Sequence, residues 1–331
     1  MLEGVECWSH PLVSAQGLTK RFGGTLALDQ VSFVLSPGEL VGFVGPNGAG
    51  KTTTLRILAG METAFEGGLR LSGKGFAQDR REILARISYL PQDVAFATWR
   101  TAGETLLLFG RLSGIPDAAL RSQIPTVLRQ VGLGGREASR VETLSRGMRQ
   151  RLGLAQAMLN QPNLMILDEP FNHLDPAGRQ HLKSVLAELN EQGVAILFSS
   201  HILADVEELM RRVLILKAGR LIYDGGVDAL RAGHGNAGVL DIGFTGILAH
   251  ARLSALNGVA RLELTAPNVV RLHVAEEGDV LAVGTALLGQ MIAGGHAIRF
   301  VKPVVPTLEA IVGGLTDDSV EMEGALPACL S

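Results

Sequence analysis

Apolar positions along the first two thirds of the chain fall into short continuous runs, separated by stretches with helical spacing. Glu39 to Val44 carries Leu40, Val41, Phe43 and Val44, a density that suits a strand buried on both faces. Leu164 to Leu167 is wholly apolar over strand length, and Val194 to Phe198 is a second run of that kind. Elsewhere the spacing is helical. Thr52 to Gly60 holds Leu55, Leu58 and Ala59 ahead of a glycine stop. Thr101 to Gly132 holds Leu106, Leu107, Phe109 and Leu112, then Ile124, Val127, Leu128 and Val131, and helical spacing returns over Ser145 to Asn160 and Pro176 to Glu191. Strands alternating with helices predict an α/β fold with a mostly parallel sheet covered on both faces. Sites in such sheets lie at the carboxyl ends of the strands.

The flanking pattern fills in the rest. Val13 to Gln30 predicts a short strand and a turn over Thr19 to Gly24, and Val31 to Leu35 alternates as a half-buried strand does. Gly67 to Leu71 and Ile87 to Gln92 predict strands, Arg80 to Arg86 a surface helix, and His201 to about Arg212 a further helix. Val213 to Leu216 and Leu221 to Asp224 form a hairpin pattern around Lys217 to Arg220. Gly225 to Gly238 is rich in glycine and polar residues and predicts a linker. Beyond it, strands at Val259 to Leu264, Val269 to Val274 and Ala297 to Val301 combine with helices at Val280 and at Pro306 to Val312 into a small α+β domain. The chain therefore divides into a large domain over about residues 1–230, containing a helical subdomain over about 93–160. A C-terminal α+β accessory domain follows over about 231–315, and then an acidic tail over 316–331 that is expected to be disordered.

Composition supports this picture. At 331 residues, 47% hydrophobic and 19% charged, the chain has enough apolar surface for a substantial core. A net charge of −3 gives no global attraction for nucleic acid. Cys7 and Cys329 have no motif spacing and read as unpaired thiols in a reducing compartment. Met1 to Pro11 has Glu3 and Glu6 and no apolar segment of the signal-peptide kind. Val280 to Ile298 lacks formal charge and approaches bilayer length, but its glycines, Gln290 and His296 favour a core helix with Leu281, Leu287, Leu288 and Met291 on one face.

The chemistry starts at Gly45-Pro46-Asn47-Gly48-Ala49-Gly50-Lys51-Thr52-Thr53, which fits G-x-x-x-x-G-K-[ST] between a buried strand and a helix N-terminus. Glycines let the backbone wrap phosphates closely, and the first N–H groups and the dipole of the helix stabilise an anion there. Lys51 is expected to meet the β- and γ-phosphates, and the Thr52 hydroxyl to ligate Mg²⁺. The run at Leu164 to Leu167 ends in Asp168-Glu169. Asp168 sits where an acidic residue can hold the Mg²⁺ shell, and Glu169 can orient and polarise the attacking water. Ser145 is positioned to cap a helix whose N–H groups make a second anion site, suggesting one phosphate held from two sides.

These ordered motifs resemble an ATP-binding cassette ATPase, the nucleotide-binding subunit of a membrane transporter, over about Val13 to Leu230. The resemblance implies an adenine-stacking role for Phe22, where the family usually has tyrosine. Gln92, in Tyr89-Leu90-Pro91-Gln92, matches the glutamine that reaches Mg²⁺ and senses coupling to the membrane subunit. Leu144-Ser145-Arg146-Gly147-Met148-Arg149-Gln150 matches the family signature, with Arg146 and Met148 replacing glycine and glutamine. Asp175, in Asn172-His173-Leu174-Asp175-Pro176, matches the loop that crosses the dimer interface, and His173 stands where a small residue is usual. His201 after Phe198-Ser199-Ser200 matches the switch histidine. The catalytic set is then Lys51, Glu169 and His201. ATP is sandwiched by Lys51 of one chain and Ser145 and Gly147 of a second, with Mg²⁺ on Thr52, Gln92 and Asp168.

The resemblance further implies a homodimer at the cytoplasmic face of the membrane, driving a separate integral membrane permease, with no nucleic acid as partner. Pro306-Thr307-Leu308-Glu309 is similar to the ending of type-2 exporter ATPases, which points to export. The alternative is a soluble cassette ATPase acting on the ribosome or on nucleic acid. Such DNA-repair proteins carry long coiled coils, and the ribosomal ones usually carry two cassettes, whereas this chain has no sustained heptads and one phosphate loop. A GTPase would need Asn-Lys-x-Asp, which is absent.

Overall fold

The computed structural model describes residues 11–76, 79–200, 207–235, 238–245, 258–275, 279–304 and 307–316. They form two compact units divided between Gly226 and Val227.

The first unit begins with a hairpin, β1 (Val13–Phe22) and β2 (Thr25–Leu35). The third strand, β3 (Leu40–Val44), is buried at every position and leads through the phosphate loop into α1 (Lys51–Leu58). Then come β4 (Glu66–Leu71), β5 (Lys74–Gly75), α2 (Arg80–Leu84) and β6 (Ile87–Leu90). Three helices follow, α3 (Ala102–Leu112), α4 (Asp117–Gln130) and α5 (Arg146–Leu159), which pack on one another. The unit ends with β7 (Leu164–Leu167), α6 (Pro176–Glu191), β8 (Ala195–Ser200), β9 (Arg212–Lys217) and β10 (Arg220–Gly226).

The central sheet has the order β10-β9-β3-β8-β7-β6, parallel except for β10. The second sheet, β2-β1-β4-β5, is antiparallel. The core lies between them: Leu18, Leu28, Val31 and Phe33 of the hairpin pack with Val41, Phe43, Leu55, Ile166, Leu197 and Leu214. Because β3, β8 and β7 are adjacent and parallel, the phosphate loop, Ser199-Ser200 and Asp168-Glu169 all emerge at one edge. Capping fixes where the neighbouring helices start. The Thr101 hydroxyl accepts from the Glu104 N–H at 3.1 Å while Glu104 accepts from the Thr101 N–H at 2.9 Å, a reciprocal cap on α3.

The hairpin differs from the pattern-based expectation. Strand β1 continues through Thr19 to Phe22, and only Gly23-Gly24 turn, so β2 starts at Thr25 and not at Val31. The charged stretch stays in the strand because Lys20 is buried and donates to Glu62 at 2.8 Å and to the Ala64 carbonyl at 2.5 Å. Of the helix expected over His201 to Arg212, residues 201–206 lie outside the described residues; residues 207–209 form a turn in place of a helix, and Arg212 already belongs to β9.

The second unit holds α7 (Val227–Gly235), β11 (Val239–Phe244), β12 (Val259–Ala266), β13 (Val269–Val274), α8 (Val280–Ala293), β14 (Ile298–Pro303) and α9 (Leu308–Thr316). Its antiparallel sheet has the order β12-β13-β11-β14, that of a split βαβ arrangement. The stretch expected to be a linker contains α7, which contacts α9. The pattern leaves β11 unassigned, although it is one of the two inner strands, with Ile242 and Phe244 fully buried. Helix α8 covers one sheet face with Val283, Leu287 and Met291, spaced by four. Leu281, expected on that face, is 78% exposed, because two positions before Val283 it falls on the opposite side of the helix from the buried stripe. Among the described residues no helix is long and apolar enough to cross a membrane. Of the Pro306 to Glu309 motif, Thr307 onward is described, and the tail after Thr316 lies outside the described residues.

Candidate functional site

The phosphate loop is held by backbone geometry that a side chain would break. At Gly45, φ is 149° and a Cβ would stand 2.2 Å from the Leu216 carbonyl oxygen. Gly45→Ala is therefore expected to destabilise the protein by about 1–3 kcal/mol or more, through strain and overlap with backbone that has no flexible end to move. Thermal unfolding checks this: an unchanged midpoint would show that the loop adapts freely.

Lys51 opens α1 and folds back over the loop, its ammonium donating to the Gly45 carbonyl at 2.6 Å and the Pro46 carbonyl at 3.0 Å. It is 7% exposed. Burial lowers its pKa, and the negative charges of Glu169 and Asp168 oppose that shift. The Thr52 hydroxyl lies 3.2 Å from the Asp168 carboxylate and donates to it.

Strand β7 ends in Asp168, whose N–H donates to the Leu90 carbonyl at 2.8 Å and whose Oδ1 accepts from the Ser199 hydroxyl at 2.7 Å. Its other oxygen, Oδ2, is buried with no hydrogen-bond partner. A buried carboxylate oxygen without a donor costs about 1–3 kcal/mol, more for a charge. Next to the Thr52 hydroxyl this oxygen-only set fits a hard divalent cation such as Mg²⁺. Burial and the neighbouring Asp168 charge raise the pKa of Tyr89 well above its ordinary value, so its phenol stays protonated.

Glu169 has φ of 50°, a left-handed conformation that costs a non-glycine residue about 1–3 kcal/mol. The conformation is held by its N–H donating to Ser199 at 2.8 Å and its carbonyl accepting from the Asn172 N–H at 3.1 Å. It turns the side chain into a cleft of about 360 Å³ lined by Ala27, Asn47 to Thr53, Gln92 and Glu169. Ser199 thus positions both acids. In the sequence Ser199 stands out only as a neighbour of His201; its signal is its place at the end of the strand next to β7.

The structure brings Lys51, Thr52, Gln92, Asp168 and Glu169 together. It does not bring in the signature. Ser145 caps α5 by accepting from the Met148 N–H at 3.2 Å, and the start of α5 borders a separate cavity of about 410 Å³. That cavity is lined by Gln92, Asp93, Val94, Arg146, Arg149, Gln150 and His173, so Gln92 is common to both. Gly147 is buried under the loop ahead of α6, and a Cβ there would sit 2.7 Å from the His173 carbonyl oxygen. His173 itself is exposed with φ of 63°. Asp175 caps α6, accepting from the Gly178 N–H at 2.8 Å. Phe22 lines neither cavity; it is 50% exposed at the end of β1, with the Lys20 ammonium 4.7 Å from its ring centroid. His201 lies outside the described residues.

Comparison with known proteins follows the same motifs. The family profile described as ABC transporter matches residues 28–172. The linearmycin resistance ATP-binding protein LnrL of Bacillus subtilis is 30% identical over 92% of this chain and 98% of its own length. The Nod factor export ATP-binding protein I of Paraburkholderia xenovorans is 38% identical over 67% of this chain and 73% of its own. A solved structure of the ATP binding subunit of an ABC transporter superposes with a TM-score of 0.63 at 31% identity, over 68% of this chain and 93% of that one.

Proposed function

The chain belongs to the ABC transporter family and is one of its ATPases, and from that premise we propose that it powers an exporter as a dimer bound to a separate membrane permease. The observation that carries the two-chain reading is the separation just described. The cleft at the phosphate loop has its own lysine, hydroxyl and carboxylates, yet no residue of α5 lines it. A helix N-terminus capped by Ser145 instead borders a cavity of its own, available to a phosphate held by another copy.

In this reading Lys51 exchanges its bonds to the Gly45 and Pro46 carbonyls for oxygens of the β- and γ-phosphates. Thr52 and Asp168 would hold Mg²⁺, with Gln92 reaching toward it. Bound there, the ion would offset the negative charge of the phosphates. Glu169 aligns the attacking water and accepts its proton, while Ser199 fixes the backbone that aims it. His201 is proposed to act beside Glu169, Phe22 to stack on adenine, and Asp175 to lie in the loop that meets the second chain. Gln92 borders both cavities, so it couples the occupancy of one to the position of α5 at the other. Closure on ATP and release after hydrolysis would then move the helical subdomain, and through it the permease. Export is supported by the relatives, one of which is named for export and one for resistance.

Purification from membranes tests the assignment. The tagged chain is expected to come out of detergent-solubilised membranes with one multi-span protein that stimulates its ATP hydrolysis. Sedimentation with ribosomes or DNA, with no such membrane protein, would overturn it.

A further inference from the structure

The end of the central sheet opposite the phosphate loop holds a cavity of about 1130 Å³. It lies between α4, the last turn of α5, the Pro37-Gly38 turn ahead of β3 and the stretch from Leu189 to Val194 that leads into β8. Its described lining sets apolar side chains, Leu12, Val127 and Met158 among them, beside the amides of Gln123, Gln130 and Gln192, and none of it carries a charge. The carboxamide oxygen of Gln123 is buried with no hydrogen-bond partner. A buried acceptor without a donor is costly, so this wall suits an apolar group that brings one N–H and no charge.

A second, mostly apolar cavity of about 40 Å³ shares Leu12 and Asn163 with the large one. Lys74, Glu82 and Arg86 line it, and Glu82 meets both Lys74 at 2.5 Å and Arg86 at 3.9 Å, so one positive charge is left over. Leu12, only 4% exposed, is where the chain enters both cavities. The segment ahead of it, residues 1–10, lies outside the described residues. Trp8 stands four residues before Leu12, within about 14 Å along an extended chain. Its ring is large and apolar, and its one N–H needs an acceptor when buried. Glu3 and Glu6 give the segment negative charge, with no Lys or Arg to balance it, which complements the surplus beside Leu12.

We propose that residues 1–10 of this chain dock over these cavities, with Trp8 in the large one donating to the Gln123 carboxamide and Glu6 outside it, on the side of Lys74 and Arg86. The indole supplies the apolar surface that Val127 and Met158 face and the donor that Gln123 lacks. Docked there, the segment straps α4 and α5 to the amino edge of the sheet. Its release would loosen the helical subdomain against the sheet from the end away from the nucleotide, so the strap is independent of the two-chain reading above.

Fluorescence of the full chain tests this. Trp99 is 71% exposed, so Trp99→Phe leaves the core intact and makes Trp8 the one tryptophan. Its emission is expected to be blue-shifted and slow to quench with acrylamide. Thr126→Arg, added at an exposed place on the cavity wall, is expected to shift that emission to the red and raise the quenching constant severalfold, with the circular dichroism unchanged. Cross-linking gives a second readout. In a Cys329→Ser background, Gln192→Cys on the cavity wall is expected to link to Cys7 within one chain through a short bismaleimide, and Thr126→Arg to abolish the link. Red emission from Trp8 in Trp99→Phe, or shielded emission that Thr126→Arg leaves in place, overturns the docking. A Cys7 link that forms only between chains gives the cavity to the segment of a second copy and overturns it as well.

Discussion

Glu169→Gln is expected to reduce ATP turnover by about 10²–10⁴-fold, the range for losing a positioned general base, while ATP still binds. Glutamine matches glutamate in shape and tolerates the left-handed backbone at 50° about equally, so the bonds from the Glu169 N–H to Ser199 and from Asn172 to the Glu169 carbonyl persist. Folding stability should therefore change little, because the backbone bonds that hold this turn do not depend on the carboxylate. The change is electrostatic. It removes a negative charge from a cleft that must accept the γ-phosphate, so ATP affinity should hold or rise. With the proton acceptor gone, closed dimers accumulate because their ATP is not consumed. Single-turnover hydrolysis, equilibrium ATP binding and size-exclusion chromatography with ATP separate these effects. Turnover at the parent rate would sink the role given to Glu169, and loss of ATP binding would point to a structural defect.

Much of this site was legible because its chemistry is local in sequence. The phosphate loop declares itself through glycine spacing, and Asp168-Glu169 through a wholly apolar run that stops abruptly at two acids. Both readings need only that strands precede the motifs, and the parallel order around β3 then brings them to the same edge. Ser199 was harder to see. A serine at a strand end is unremarkable until β8 is known to lie between β3 and β7, where its hydroxyl reaches both acids. The same holds for the Gly147 contact with the His173 carbonyl, a packing of two segments 26 residues apart that no local pattern encodes.

Where the pattern misread the fold, burial of an unusual residue or a competing composition was the cause. Lys20 looks like turn chemistry, but its ammonium finds Glu62 and the Ala64 carbonyl, so β1 continues past it. Glycines at Gly225, Gly226, Gly233 and Gly235 mask a helix whose Val227 is buried. In β11, Asp241 interrupts the apolar reading, yet it pairs with Arg271 of β13 at 2.8 and 2.9 Å, and that bond with its charge holds the Asp241 carboxyl below the usual range. A cross-strand ion pair is visible only once the register is known.

Lys51→Ala is expected to weaken ATP binding by about 10–100-fold, since a charge-assisted hydrogen bond is worth about 1.5–3 kcal/mol. Lys51 is buried, and that burial lowers its pKa against the pull of Glu169 and Asp168, so holding the ammonium charged there has a cost. In the structure the loop carbonyls of Gly45 and Pro46 offset part of it. Phosphate oxygens offset more, because they bring full negative charge where carbonyls bring dipoles, and the difference between those two sets of partners favours nucleotide binding. Alanine removes the difference entirely. It also leaves two carbonyls without a donor and Asp168 and Glu169 without their nearest cation, so the cleft becomes net repulsive to a triphosphate. Lys51→Arg separates charge from fit: the planar guanidinium is bulkier than an ammonium in a loop where Gly45 has no room for even a Cβ, so it should bind ATP better than alanine and worse than lysine. Calorimetric titration with ATP at fixed magnesium reads all three. Unchanged affinity in Lys51→Ala would mean that backbone N–H groups alone carry the phosphates, and the lysine's place over the loop would then be structural.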